Sequence, residues 1–214
     1  MGGTSETRNK LKHWERGQAE SEGLAAVVLA NNGYEGINPV HPLGGPDGGK
    51  DIVCFRNGKK WIGAVFFPIT EAKYTDIKKK FLHDLDGAKN NKAHGIAFVC
   101  NQYLTDSDRN RLAMLAKEKE MDADIYHLER MVAMLNTPQM FGTRLKFLEI
   151  PMSKEEEIEY LETVGSKQFN AIQQKLDDLY RYVRSERAND EFWEFSSRSE
   201  EEIDNAINEL FDKI

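Results

Sequence analysis

The sequence predicts an α/β fold, a mixed central sheet flanked by helices, with a C-terminal α-helical extension. Three observations carry that prediction. Two strand-like segments are joined by Asn57-Gly58, the strongest short hairpin signal in the chain, so part of the sheet is antiparallel. Downstream, apolar runs of strand length alternate with amphipathic segments, the pattern of parallel strands linked by right-handed crossovers. Beyond residue 150 the strand signals stop and capping boxes introduce helical spacing.

A chain of 214 residues with 40% hydrophobic content suffices for one α/β domain with an ordinary core and a smaller appendage. The longest apolar run, Trp61 to Pro68, is far short of a membrane span, and no charged-then-apolar leader opens the sequence. Glu6 stands where an N-terminal acylation signal needs Ser or Thr, so the expectation is a cytoplasmic protein with no membrane partner. Cys54 and Cys100 lie inside strand-like runs and outside any CxxC pair, which makes them reduced core residues rather than a disulfide or a zinc site. The net charge of −7 is unevenly shared. Residues 151–214 hold 8 Lys and Arg against 17 Asp and Glu, a balance of −9, which leaves 21 against 19 in residues 1–150, a balance of +2. The bulk field disfavours nucleic acid, while a local basic face on the first part is compatible with a phosphate backbone.

Residues 1–12 are polar and predict a flexible lead-in. From Trp14 or Gln18 to Asn31, Leu24, Val27 and Val28 with Ala25, Ala26 and Ala30 give one apolar helical face, stopped by Asn32-Gly33. Glu20 and Glu22 fall in its first turns, where acids suit the positive end of the dipole. Ile37 to Leu43 carries two prolines and predicts a short edge strand. Asp51 to Phe55 and Trp61 to Phe67 form the hairpin, ended by Pro68. Thr75 to Lys89 predicts a helix with Ile77, Phe81 and Leu85 in line and Lys78, Lys79 and Lys80 on its flanks. Gly95 to Cys100 is continuously apolar, as a strand buried on both faces should be. Thr105 caps a helix to about Glu120, Asp124 to Leu128 is a further strand, and Arg130 to Leu135 a short helix ending before Thr137-Pro138.

These elements make up a domain over residues 13–150. Residues 151–214 form an acidic helical tail. There Ser153 and Glu156 make a capping box, and Ile158, Leu161, Ile172, Leu176, Leu179 and Val183 form a seam interrupted near Gly165-Ser166. A second box, Ser199 with Glu202, opens a helix bearing Ile203, Ile207, Leu210 and Ile214. Such seams want a partner: each other, a second copy in a homo-oligomer, or a partner protein.

Chemistry centres on Gly44-Gly45-Pro46-Asp47-Gly48-Gly49-Lys50-Asp51, a tight turn leading into an apolar strand, which sets Asp51 at the strand mouth. Gly44 to Lys50 spells GxxxxGK, yet a P-loop is excluded. Asp51 stands where Ser or Thr should hold magnesium, Pro46 removes a backbone donor, and the stretch precedes a strand instead of following one. Asp47 and Asp51 also suit the turn itself, and a lysine run on a helix commonly faces solvent. His83, His94 and His127 are scattered without zinc-ligand spacing. Asn101-Gln102 sit where α/β ligand clefts lie, though loop capping explains them equally.

The order of a helix with Glu22, Gly33-Tyr34, the Gly48-Gly49-Lys50-Asp51 turn, the hairpin through Trp61 to Phe67 and the Gly95 to Cys100 strand resembles the restriction-endonuclease-like, or PD-(D/E)xK, superfamily over roughly residues 13–140. The segments Trp61 to Pro68 and Ile77 to Phe81 are similar to a bacterial branch associated with defence. The resemblance implies a metal-dependent nuclease acting on DNA, with Mg2+ or Mn2+ held by Asp51 and Glu22. It also implies a lysine, Lys80 or one of Lys60, Lys73, Lys78 and Lys79, balancing the developing charge. Lys50, Lys78 and Lys79 are then expected to contact phosphates. The sequence departs from the family where the following strand should carry Glu or Gln, one residue, then Lys, because Ala64 and Phe66 occupy those positions. The other reading is therefore a catalytically inactive nuclease-like domain that binds nucleic acid or a partner protein as a recruitment or assembly module.

Overall fold

A computed structural model describes residues 2–39 and 52–183. The Gly44 to Asp51 turn and the helix expected after Ser199 therefore lie outside the described residues. The described chain runs α1 (Gly2–Lys12), α2 (Gly17–Ala30), β1 (Glu35–Pro39), β2 (Ile52–Arg56), β3 (Lys59–Phe66), α3 (Tyr74–Asn90), β4 (Gly95–Cys100), α4 (Asp106–Glu118), β5 (Asp122–Tyr126), α5 (Leu128–Leu135), a 3-10 turn (Pro138–Met140), α6 (Phe141–Leu148) and α7 (Lys154–Val183).

The five strands form one mixed sheet in the order β1-β2-β3-β4-β5, antiparallel across the first three strands and parallel from β3 to β5. The hairpin is closed by Asn57 and Gly58, both at positive φ (52° and 71°), the geometry that matches the twist of paired strands. It sets the register Arg56↔Lys59, Cys54↔Trp61 and Ile52↔Gly63. β4 is buried along its whole length, as its unbroken apolar run requires.

Helices cover both faces. On one, Leu24, Val28 and Leu29 of α2 pack with Ile52, Cys54, Trp61, Val65 and Val99, joined by residues of α1, α5 and α6. On the other, Ile77, Phe81 and Leu85 of α3 and Leu112 and Ala116 of α4 cover Ile62, Ala64, Ile96 and Phe98. Each Val, Leu, Ile or Phe side chain removed from water contributes about 1.5–3 kcal/mol, so these two layers fix the sheet and whatever its ends present.

Four elements differ from expectation. Residues 2–12 form a helix, because Thr7 and Leu11 are buried and Arg8 reaches Glu129 of α5 at 2.8 Å. That polar stretch takes its stability from tertiary contact rather than from its own pattern. α6 is new: Phe141, Phe147 and Leu148 point inward with Arg144, whose buried charge hid the apolar face. β5 begins two residues early, at Asp122. α7 runs through Gly165-Ser166 without a break.

The chain divides into two compact units, Met1–Tyr160 and Leu161–Ile214. In the first, Glu156 caps α7 at Ser153 and forms a double hydrogen-bonded pair with Arg144, whose side chain is wholly buried over the Phe141 ring. Along α7, Ile158, Leu161, Ile172 and Leu176 are exposed. Among the described residues no helix is long and apolar enough to cross a membrane.

Candidate functional site

At the C-terminal end of β3 the sheet opens into a cleft of about 460 Å³, walled by Trp14, Gln18 and Ser21 on one side, Val65 to Ile69 along its base, and Lys80 of α3. The ends of parallel strands are where α/β folds place ligands. Local chemistry builds the walls. Trp14 stands edge-on to Phe67 at 5.2 Å and donates its indole N–H to the Gly17 carbonyl at 2.9 Å, which fixes the entry into α2. Asn101 donates to the carbonyls of Leu11 and Pro68 at 3.0 and 3.1 Å, and Gln102 Oε1 accepts from the Ala72 amide at 2.8 Å. These two buried amides tie down the loop after β3, so loop capping is the role the structure assigns them.

Glu22 lies one turn along α2 from Gln18, 4% exposed, and its Oε1 accepts from Gln18 Nε2 at 2.7 Å. Among the described residues, no Lys, Arg or His forms an ion pair with it. Lys80 donates to Asp84 Oδ1 at 2.8 Å, which anchors its ammonium while leaving it about one-third exposed. Asp84 itself is 1% exposed. Burial pushes its carboxyl above the ordinary aspartate range, against the opposing pull of Lys80 and of His83 at 3.2 Å, and its Oδ2 has no partner among the described residues.

The other expected residues separate. Asp51 and Lys50 lie outside the described residues. Lys60 donates to the Asn91 carbonyl at the far end of β3, which removes it from the cleft, whereas Lys73 precedes the first turn of α3. Lys78 is half-buried and Lys79 exposed on α3. Ala64 and Phe66 project into the layer under α3, Phe66 stacked on Phe98 at 6.5 Å, on the sheet face opposite α2 and Glu22. The α2 face of β3 offers no substitute, for it shows Trp61, Gly63 and Val65. A Cβ at Gly63 would lie 2.9 Å from Leu29 and 3.1 Å from Ile52, so no carboxylate fits there without moving α2. Neither face of β3 carries a metal ligand.

Among the described residues no three His, Cys, Asp or Glu side chains come together as a metal-binding group. Glu22 thus has no companion group of His, Cys, Asp or Glu among the described residues with which to hold a cation. Cys54 and Cys100 are buried free thiols, each pushed up to about 12 by burial, and so are not nucleophiles. Sequence reasoning missed Trp14, Gln18, Ser21 and Phe67, which meet only in three dimensions. The sole local signal was Trp14 standing just before an apolar helix. No protein-family model matches the chain, and comparison with curated proteins gives no match.

Proposed function

We propose that this chain is a restriction-endonuclease-like domain that hydrolyses phosphodiester bonds in DNA at the β3 cleft, in a bacterial defence role. The succession of α2, an antiparallel three-strand meander, α3 and a parallel β4 supports the superfamily reading. The observation that carries the chemistry is Glu22, a carboxylate almost wholly buried, with a neutral amide as its partner, beside a cleft that also holds Lys80. A buried carboxylate whose hydrogen-bond partner is a neutral amide keeps oxygen donors available, and a divalent cation in the cleft is a partner of the right chemistry. Carboxylate oxygens of Glu22 and Asp51 suit a hard ion such as Mg2+ or Mn2+, whereas Ala64 and Phe66 add nothing to the donor set. When bound, such an ion supplies charge stabilisation at the phosphate and acidifies water. The protein's own groups do the rest. Gln18 orients Glu22, Asp84 holds the Lys80 ammonium at the cleft where phosphate charge would develop, and Trp14, Phe67 and Pro68 give the cleft an apolar wall.

The test is cleavage of supercoiled plasmid and single-stranded DNA with Mg2+ or Mn2+. Replacing one charged group that acts on the reacting phosphate typically costs 100-fold or more, so Glu22→Gln, Asp51→Ala and Lys80→Met are each expected to slow cleavage by about that factor. No cleavage by the unaltered protein, or an undiminished rate in Glu22→Gln and Asp51→Ala, overturns this reading.

The apolar faces of β3 favour a second reading, a catalytically inactive nuclease-like module that binds nucleic acid or a partner protein. Its signature is DNA retention without cleavage, unaffected by Glu22→Gln. The exposed Ile158, Leu161, Ile172 and Leu176 support, under either reading, association through the C-terminal helices with a second copy or a partner.

A further inference from the structure

The opposite end of β3 holds a second pocket, of about 320 Å³, lined by Arg56, Asn57, Lys59, Trp61, His94 and Asp122. Trp61 and Phe67 are six residue steps apart along extended chain, roughly 20 Å, so this pocket is distinct from the cleft. We propose that it binds a phosphate carried by a single nucleotide unit. The inference does not depend on the nuclease reading.

Asp122 in the pocket lining and Asp124, which holds Arg56, are both already paired. Asp124, beneath it, accepts Arg130 at 2.5 Å, Tyr126 Oη at 2.9 Å and Tyr34 Oη at 3.2 Å, in addition to Arg56 at 3.0 Å. Asp122 is paired with Lys117 at 2.5 Å and with His94 at 2.8 Å. With Lys117 engaged by Asp122 and Arg130 by Asp124, the pocket lining itself carries Arg56 and Lys59 against Asp122, an excess of one positive charge. Lys59 Nζ sits 3.3 Å from His94 Nε2, the nitrogen that Asp122 Oδ2 also approaches at 2.8 Å, so Lys59 reaches a carboxylate only through the imidazole. Its ammonium is therefore available to an anion.

The cations are also positioned. The Arg56 guanidinium lies over the Tyr34 ring, 5.0 Å from its centroid, while Nη1 is held by Asp124. A guanidinium fixed in this way and still 39% exposed loses little freedom on taking a phosphate and keeps donors free for it. Trp61 lines the pocket with 7% of its surface exposed and is braced by Tyr34 and His94 edge-on at 5.5 and 5.8 Å, so it gives the pocket a rigid apolar edge beside the cations. The volume lies at the lower end of small-ligand sites, about 300–1,000 Å³, which suits one nucleotide and not a folded strand.

Calorimetric titration of the full chain with adenosine monophosphate, adenosine and a short oligothymidylate tests the proposal. Adenosine monophosphate is expected to bind and adenosine not. Lys59→Glu, an exposed hairpin residue, and His94→Gln should each weaken binding at least tenfold with thermal stability retained, while Lys10→Glu, the same charge change on α1, and Glu22→Gln leave it unchanged. Binding of the oligonucleotide alone, with the same variant dependence, also supports the phosphate site and assigns its source to a strand end. Failure of both phosphate-bearing probes to bind, equal binding of adenosine, or affinities untouched by Lys59→Glu and His94→Gln would overturn it.

Discussion

Two aspartates, Asp84 buried and Asp124 half-buried, show how one residue type serves opposite ends. Asp124 would be pushed up by burial, but hydrogen bonds and charge from Arg130, with Tyr126 and Arg56, overcome that and hold its carboxyl below the usual range. Its stabilisation is therefore present above the unfolded value of about 3.9 and lost as pH falls through the lower folded value. For Asp84 burial wins over Lys80 and His83, and the folded value lies above the unfolded one. Its contribution to stability is full below about pH 3.9 and lost as pH rises through the folded value. Asp84→Asn is thus expected to gain stability relative to the unaltered protein between pH 4 and pH 7, read as a shift in urea midpoint. A mutant that loses ground over that interval would refute the assignment. Asp124→Asn should move the other way, costing about 1.5–3 kcal/mol at pH 7 and less at pH 2, because charged hydrogen bonds of that order are lost. If Lys80 acts on phosphate, Asp84→Asn should also slow cleavage while stabilising the fold, since a buried charge kept at a cost is a mark of function.

At the scale of elements, what was legible in the sequence was local. Asn57-Gly58 needs only its own φ angles, and the Thr105–Asp108 and Ser153–Glu156 boxes satisfy their own helix ends. α1 and α6 were illegible because their stability comes from residues over a hundred positions away or from a buried arginine. β5 looked like a loop at Asp122 because the acids that mark its start are neutralised by Lys117, His94 and Arg130, which no window of sequence shows together. The Gly165-Ser166 break failed because one exposed glycine costs about 1 kcal/mol, too little to stop a thirty-residue helix. The parallel part of the sheet also rests on one glycine. Gly95 pairs with Trp61 on one side and Asp122 on the other, and a Cβ there would sit 2.7 Å from both the Asp122 carbonyl and the Trp61 ring. Gly95→Ala is expected to cost about 1–3 kcal/mol in urea unfolding, as overpacking does, and to weaken nucleotide binding by displacing the Trp61 edge of the pocket. Full stability in that variant would show that the ring yields freely.

At the scale of the whole molecule, the candidate site was half legible. Glu22 could be named as an acid on a helix and Lys80 as one lysine among five, but only the sheet decides that Lys60 belongs to the far end of β3 and that Ala64 and Phe66 face away from α2. The same view relocates the limit between the α/β part and the acidic tail. The sequence drew it at residue 150, yet Glu156 is the partner that neutralises the buried Arg144, so the first turn of α7 belongs energetically to the α/β unit. Two truncations separate the roles. Ending the chain after Tyr160 keeps that pair and removes Leu161, Ile172 and Leu176, and the solution mass is expected to fall from a multiple of the 24.5 kDa chain to a monomer. A full-length protein that is already monomeric would show that the helical seam is satisfied within one chain. Ending it after Met152 instead strands Arg144 without its carboxylate, and breaking a buried pair from one side costs about 3–5 kcal/mol. The shorter fragment should therefore melt well below the one ending at Tyr160, and equal melting temperatures would mean that Asn136 and the Phe141 ring alone suffice to hold the arginine inside.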